Sequence, residues 1–421
     1  MHLREVLAAR VKQGLKIRAL KSPWTYRLLR TATRRTQFAL DATRQMALYA
    51  LEQTERAFVG STPVVWTSAF FPTEIVHALG FVVFSPEVAS ALLASLGLAE
   101  ECLNVAERAW YGRDLCSFHR CAIGATLKGY FPTPVALLAS GHLCDGAPKA
   151  FEAISRLTGA KTFFLDVPRQ DSPEAGAYVA AQLDEIGRTL AALAGTEWDL
   201  ARLAETIKSS EAFRQAALHV NRTRMAVCDI RGSDMLSYVY LMFVGQGHAE
   251  AARVYATLGQ ELAARRRVSE DERRPRLLWL HLKPYYDPFL MDYLEEERGA
   301  AIVFEEMNHV YWPPLDAAEP LRSLARKVLA HHAYHTTSAR AAVLAELARA
   351  YRVDGVVQFV HWGCRATGGT VNLLMKLLRR EGLPFLTLDG DCIDRRDYAP
   401  EQLRTRLDAF LELVGNQTEV V

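Results

Sequence analysis

The period of hydrophobic and polar positions changes along the chain. Residues 32–58, "ATRRTQFALDATRQMALYALEQTERAF", carry apolar side chains at helical spacing without Gly or Pro, and predict that residues 1–58 are helical. The next stretch, "STPVVWTSAFFPTEIVHALGFVVFS", reads as a β-rich run, a helix begun by Pro72 and stopped at Gly80, and a second β-rich run. The pattern predicts that a strand–helix alternation begins there.

This alternation occurs twice, with a helical segment between the two occurrences. Residues 59–170 and 271–421 form the predicted α/β domains, and residues 171–270 are predicted to be helical without a strand. In the second domain, "LLWLHL", "AAIVFEE", "DGVVQFVHWGC" and "LPFLTLDGD" read as strands. Strands that alternate with helices favour a mainly parallel sheet, so the predicted fold class is α/β with two such sheets.

Composition and charge are typical of a globular protein of two or three domains. Of the 421 residues, 50% are apolar and 23% are charged. No apolar run reaches the ~18–20 residues that cross a bilayer, and the N-terminus lacks a secretory pattern, so we expect a cytoplasmic location and no membrane partner. We expect no nucleic-acid partner. Residues 1–44 hold eleven Lys and Arg against two acidic residues. This local positive charge is compatible with attraction to an acidic ligand or partner, and equally with a solvated helical face.

The seven cysteines do not look like a disulfide framework, because their number is odd and they are spread along a long chain: Cys102, Cys116, Cys121, Cys144, Cys228, Cys364 and Cys392. Buried structural thiols, a nucleophile or metal ligation remain possible. Cys144 and Cys364 each lie just past a predicted strand and before a predicted helix. Cys116 lies in a loop-like stretch with Gly124 soon after it.

These three cysteines form the candidate site. Loops at the carboxyl ends of strands converge at one edge of an open α/β sheet, which is where ligands bind. Three thiolates on loops resemble an iron–sulfur site more than a zinc site. The sequence has no CxxC pair, and its HxxxH spacing comes without the further ligands of a zinc site. The competing hypothesis is a nucleophilic Cys116 whose thiolate is favoured by His119 and Arg120. That hypothesis explains neither of the other two cysteines.

Three weaker patterns have less specific interpretations. The stretch "CRATGGTVNLL" could bind a phosphate at a helix N-terminus, although GxGxxG and GxxxxGK[ST] are both absent. An exposed helix face is the favoured interpretation of the histidines in "AHHAYHTT", His331, His332 and His335. Capping of the next segment is slightly favoured over cation binding for the carboxylates in "LDGDCID", Asp389, Asp391 and Asp394.

From about Val64 to Val414 the sequence resembles the 2-hydroxyacyl-CoA dehydratase and benzoyl-CoA reductase family, which is named after the D-component of 2-hydroxyglutaryl-CoA dehydratase. The stretches that carry the resemblance occur in the family's order: "FFPTEIVHALG", "LCSFHR", "HLCDG" with "FFLDVP", and "DGVVQFVHWGCRATGG" through "GLPFLTLDGDCID". The resemblance implies two Rossmann-like domains and a [4Fe–4S] cluster held by Cys116, Cys144 and Cys364. It also implies an acyl-CoA substrate whose 2-hydroxyl group is lost after transfer of one low-potential electron.

The resemblance further implies partners. The electron comes, in that family, from a separate ATP-hydrolysing iron–sulfur activator, and a second family subunit completes a homodimer or heterodimer. A related double-cubane protein carries an [8Fe–9S] cluster on six cysteines and reduces small molecules. Cys121 and Cys392 depart from the dehydratase pattern and keep that alternative open, with Cys228 or Cys102 as the sixth ligand. For Cys121 a position in the core is slightly favoured, because "FHRCAIGATL" can start a helix that turns the side chain inward. A cluster-free scaffold subunit is the third hypothesis.

Overall fold

The computed structural model describes three stretches of the chain, residues 18–226, 230–265 and 274–418. Residues 18–20 are helical, and the helices α1 Pro23–Arg35 and α2 Asp41–Phe58 follow them. Pro23 opens α1, where its missing N–H costs no hydrogen bond. The helical prediction for the start of the chain is confirmed from residue 18 onward, and residues 1–17 lie outside the described residues. No helix within the described stretches is long and apolar enough to cross a bilayer.

Four parallel strands form the first sheet: β1 Val64–Thr67, β2 Val82–Phe84, β3 Ala136–Ser140 and β4 Lys161–Leu165. Their order is β2-β1-β3-β4. Parallel neighbours require crossover connections, and helices supply them. The helices are α3 Glu74–Ala78, α4 Pro86–Ser95, α5 Ala99–Arg108, α6 Ser117–Leu127 and α7 Ala147–Thr158.

The helical segment follows this sheet. Its members are α8 Pro173–Leu193, α9 Leu200–Arg224, α10 Gly232–Val244 and α11 Ala249–Ala263. Ser172 and Asp199 accept hydrogen bonds from backbone N–H groups in the first turns of α8 and α9, which fixes where these helices begin. No strand occurs between β4 and residue 265 in the described chain, as the sequence predicts.

The second sheet repeats the topology of the first. Its parallel strands are β5 Arg276–Leu280, β6 Ala301–Glu305, β7 Gly355–His361 and β8 Phe385–Gly390. Their order is β6-β5-β7-β8. The helices are α12 Phe289–Asp292, α13 Pro320–Leu329, α14 Thr337–Ala350, α15 Arg365–Gly368, α16 Val371–Arg380 and α17 Pro400–Thr418. A π-helical turn, Tyr293–Glu297, continues α12, and the 3₁₀ turns are Glu306–Asn308 and Arg395–Asp397.

Both sheets are covered on their two faces, which is why their strands read as continuous apolar runs. Side chains alternate across the first sheet: Val65 packs toward the helical segment, whereas Val64 and Trp66 pack on the opposite face. The predicted fold class, α/β with two Rossmann-like parallel sheets, is confirmed.

A buried ion-pair network joins the two α/β halves next to α6. The Arg120 guanidinium is fully buried and binds Glu107 at 2.6 Å and Asp394 at 3.2 Å. It also donates to the carbonyl of Leu115 at 3.0 Å. Arg396 contacts both carboxylates from the surface. The start of α6 is therefore held against the loop that follows β8.

Candidate active site

One cavity of about 680 Å³ lies where the carboxyl ends of the two sheets face each other. Its lining comes from the loops that follow β1, β3, β5 and β7, and α10 closes it along one side. Cys116, Cys144 and Cys364 all line this cavity. The structure therefore brings together the three cysteines that the sequence singles out, at the edge where open α/β sheets bind ligands.

Each of these cysteines stands at the start of a helix or in the loop before one. Cys116 is the N-cap residue of α6, and Cys364 is the N-cap residue of α15, three positions past the end of β7. Cys144 lies in the loop between β3 and α7. The strands fix where these loops begin, so cysteines far apart in sequence reach one place.

Two of the cysteine loops touch through their backbones. Gly363 has φ +79°, a left-handed conformation that glycine adopts without strain. A Cβ atom at this position would lie 2.9 Å from both the Cα and the N atom of Cys116. Any larger residue would push the loops of Cys364 and Cys116 apart, so Gly363 sets their distance.

The three thiols influence one another's ionisation. Burial raises the pKa of Cys116 well above its ordinary range, and Cys144 and Cys364 raise it further. Burial, Glu87 and Cys364 raise the pKa of Cys144 to about 12. Burial opposes ionisation of Cys364 as well, but His281 and Thr367 outweigh it and lower the pKa to about 7. Three thiolates would repel one another here unless a cation compensated them, and bound metal ions reverse this balance.

An imidazole lies beside each of the three thiols. His361 Nε2 is 3.3 Å from Cys116 Sγ, and His119 Nε2 is 3.3 Å from Cys144 Sγ. His281 lies against Cys364 and stacks on His361, with ring centroids 5.9 Å apart. Burial lowers the pKa of His361 well below its ordinary value and that of His119 to about 4, so both rings are neutral at pH 7.

The donor set fits an iron–sulfur cluster better than a single metal ion. In the described part of the chain, no three His, Cys, Asp or Glu side chains are grouped so that they could hold one ion. A cubane does not require such a group, because each thiolate binds a different iron atom. Three cysteines on three separate loops around one cavity suit that geometry.

The further candidate cysteines are buried in the protein core. Cys121 lies on α6 and is fully buried beside Cys102. Cys392 is also fully buried; burial raises the pKa of its thiol, and Asp391, Cys116 and Cys364 raise it further, so it lies near the site. None of these core cysteines, Cys102, Cys121 and Cys392, lines the cavity, and Cys228 lies outside the described residues.

The hypothesis of an activated nucleophile at Cys116 loses its basis in the structure. His119 contacts Cys144 instead of Cys116, and the Arg120 guanidinium is occupied by Glu107 and Asp394. The pKa of Cys116 is raised by burial, whereas a nucleophilic cysteine needs a lowered pKa.

Two of the weaker sequence patterns have clear outcomes. The prediction of an exposed helix face for the histidines of "AHHAYHTT" is wrong, because α13 ends at Leu329 and the chain turns inward there. His331 and His332 are buried and stack on each other, while His335 contacts the carbonyl of Arg169. Capping of the next segment is confirmed for Asp394, which accepts the N–H of Arg396 in the turn Arg395–Asp397. Asp391 accepts the N–H groups of Ile393 and Asp394 in the loop before that turn, whereas the exposed Asp389 pairs with Arg406.

Glu87 is a cavity residue that the sequence does not reveal. It lies in the first turn of α4 and lines the cavity near Cys144. Burial raises the pKa of Glu87 to about 7, although the N–H of Ala69 and the hydroxyl of Ser85 donate hydrogen bonds to its carboxylate. "SPE" is an ordinary helix start, so nothing local distinguishes this glutamate. A carboxyl group with a pKa near 7 can both donate and accept a proton.

Part of the cavity lining is polar. Lys327 lines the cavity and forms a buried ion pair with Glu74, which also accepts from the hydroxyl of Ser210. His331 is a further lining residue, and its Nδ1 atom accepts the N–H of Ala333. The cavity therefore carries polar groups held by fixed partners in addition to the cysteines.

Comparison with known proteins agrees with the expected family. Residues 68–414 match the family model described as 2-hydroxyglutaryl-CoA dehydratase, D-component. The chain is 24% identical to the (R)-phenyllactyl-CoA dehydratase alpha subunit of Clostridium sporogenes over 392 residues, which cover 88% of this chain and 93% of the relative. It is 23% identical to the (R)-2-hydroxyisocaproyl-CoA dehydratase alpha subunit of Clostridioides difficile, with 85% and 91% covered.

A third relative, the lactoyl-CoA dehydratase subunit alpha of Anaerotignum propionicum, is 22% identical, with 83% of this chain and 90% of the relative covered. These relatives are named as subunits of CoA dehydratases, and the family match spans both α/β halves and the helical segment. The chain therefore belongs to the family of the 2-hydroxyglutaryl-CoA dehydratase D-component and is a component of an enzyme of that family.

Proposed function

We propose that this chain is the subunit of a 2-hydroxyacyl-CoA dehydratase that holds one [4Fe–4S] cluster through Cys116, Cys144 and Cys364. The observation that carries the proposal is that these cysteines, on three separate loops, line the same cavity. When bound, such a cluster supplies one-electron chemistry that no side chain provides. The chain's own residues would position the substrate, exclude water and handle protons.

The cavity suits the acyl part of a thioester substrate. Its volume of about 680 Å³ falls in the range of small-molecule sites. Its apolar lining includes Phe70, Phe118, Leu236, Val239, Phe243 and Met291. Apolar and aromatic walls favour an acyl group with an apolar side chain, and the phenyllactyl and 2-hydroxyisocaproyl groups named for two relatives are of that kind.

Glu87 is the proposed proton carrier. Dehydration removes a hydroxyl group from C2 and a proton from C3, so a group that gives one proton and takes another can assist both losses. Glu87 lies at the cysteine end of the cavity, and burial raises its pKa to about 7. These properties match the requirement of general acid–base catalysis near neutral pH.

The proposal includes two partners. The relatives are alpha subunits, and we propose a second family subunit beside this chain. We also propose an ATP-hydrolysing iron–sulfur activator as the electron donor. In support, Trp362 is 59% exposed two positions before Cys364, and Trp110 is 95% exposed six positions before Cys116, so exposed aromatic surface adjoins both cysteine loops.

Iron and sulfide analysis of anaerobically purified protein tests this proposal. About four iron atoms per chain are expected for one cubane, about eight for the double-cubane alternative and close to none for a scaffold. The double-cubane alternative needs further cysteines at the cluster, whereas Cys102, Cys121 and Cys392 lie in the core. About eight iron atoms per chain, or none, would overturn the proposal.

A further inference from the structure

The three cavity cysteines have one feature in common beyond their place in the fold. Each has a histidine ring against its sulfur, and in all three cases the ring belongs to a different element from the cysteine. His119 belongs to the helix that Cys116 begins, yet it contacts Cys144 on another loop. His361 ends β7 and contacts Cys116 on α6. The histidines therefore link the cysteine loops to one another.

The orientation of His361 is fixed by a backbone group. Its Nδ1 atom accepts the N–H of Cys392 at 3.1 Å, so this nitrogen carries no proton of its own. The proton of the neutral ring must then be on Nε2, the atom that lies 3.3 Å from Cys116 Sγ. The N–H bond points at the sulfur, and the ring is 2% exposed, so it cannot turn away toward water.

The ring of His119 is held in place by packing. It is 2% exposed, and Gly146 lies directly against it, since a Cβ atom there would be 3.2 Å from its Cδ2 atom. Glycine leaves the space that the ring occupies next to Cys144. The loop that carries the cysteine is thus shaped to admit the imidazole, which places Nε2 3.3 Å from Cys144 Sγ.

We propose that His361 and His119 are positioning residues that donate N–H···S hydrogen bonds to the ligand sulfurs of Cys116 and Cys144 and thereby raise the reduction potential of the cluster. This inference rests on the function proposed above. Reduction adds a negative charge that spreads onto the sulfurs, and a hydrogen-bond donor stabilises the more negative state. Hydrogen bonds to the sulfurs are among the factors that set cluster potentials.

The test is an anaerobic redox titration followed by electron paramagnetic resonance. H361A and H119A should shift the midpoint potential to more negative values, because each removes one donor. H361Q keeps an N–H group close to the position of Nε2 and should restore much of the potential. H309A is the matched control: His309 lines the same cavity but contacts His332 instead of a cysteine, so its replacement should leave the potential unchanged.

A second measurement applies if the alanine variants fold poorly or bind little iron. Exchange of the wild-type protein into D₂O should shift the iron–sulfur stretching bands in its resonance Raman spectrum, and H361Q, which keeps an N–H group at the sulfur of Cys116, should show much of the same shift. Wild-type potential in iron-loaded H361A and H119A, or no D₂O effect in the wild type, would overturn this inference alone. A wild-type protein without iron would overturn the proposed function as well, so the two failures differ.

Discussion

Replacement of Glu87 by Gln should remove a pH-dependent loss of stability. Burial raises the pKa of Glu87 from the ordinary 4.5 to about 7, so the folded chain holds this proton more tightly than the unfolded chain. Between these two values the folded state binds more protons, and the free energy of unfolding therefore falls as the pH rises. Above about pH 7 the carboxyl group is ionised in both states, and the free energy of unfolding falls no further on its account.

The size of the effect follows from the two pKa values. A change from 4.5 to about 7 corresponds to about 3 kcal/mol, since each unit is worth about 1.4 kcal/mol. The carboxylate faces the cavity and keeps some contact with solvent, which reduces the expected cost to about 2 kcal/mol. E87Q should thus gain about 2 kcal/mol relative to the wild type as the pH increases from about 5 to about 8.

Urea unfolding of the iron-free protein, followed by circular dichroism over this pH range, measures the difference. E412Q is the matched control, because Glu412 is exposed on α17 and its replacement should give a difference close to zero. A constant difference between wild type and E87Q across the pH range would refute the reasoning that Glu87 carries a proton near neutral pH. Loss of dehydratase activity in E87Q with normal iron content is the accompanying expectation.

Three further predictions concern the residues around Cys116. R120M should lower the free energy of unfolding by about 2 kcal/mol, because the buried Asp394 and the partly exposed Glu107 each lose one guanidinium partner while Arg396 still contacts both; chemical denaturation measures this. G363A should lower iron content and cost about 1–3 kcal/mol, because a side chain there strains the backbone and meets Cys116; full iron with normal stability would contradict it. C121A should leave iron content and activity unchanged, and loss of about half the iron would instead favour the double cubane.

The fold could be predicted because its determinants are local. Apolar runs such as "VALLAS" and "GVVQFV" identify buried strands, and the Gly and Pro residues around them mark where helices begin and end. The approximate positions of Cys144 and Cys364 followed from the same pattern, since each comes directly after a strand. The structure adds that Cys116 begins a helix, which turns Cys121 into the core.

The rest of the site depends on tertiary contacts that no local pattern records. Glu87 has a raised pKa because of what surrounds it, while its own neighbours in sequence form a common helix start. His331 looked like an exposed helical residue because helical spacing continues past Leu329, where the helix ends. The approach of His361 to Cys116 spans 245 positions in sequence, and only the folded chain brings the two together.

The most direct test of the central claim is the iron content of C144S, measured beside its circular dichroism spectrum. Cys144 lies on a loop at the cavity, and the α/β cores do not depend on its side chain. We expect loss of the cluster and of activity with a spectrum like that of the wild type. A folded C144S protein that retains its full iron content would contradict the assignment of Cys144, Cys116 and Cys364 as the ligand set.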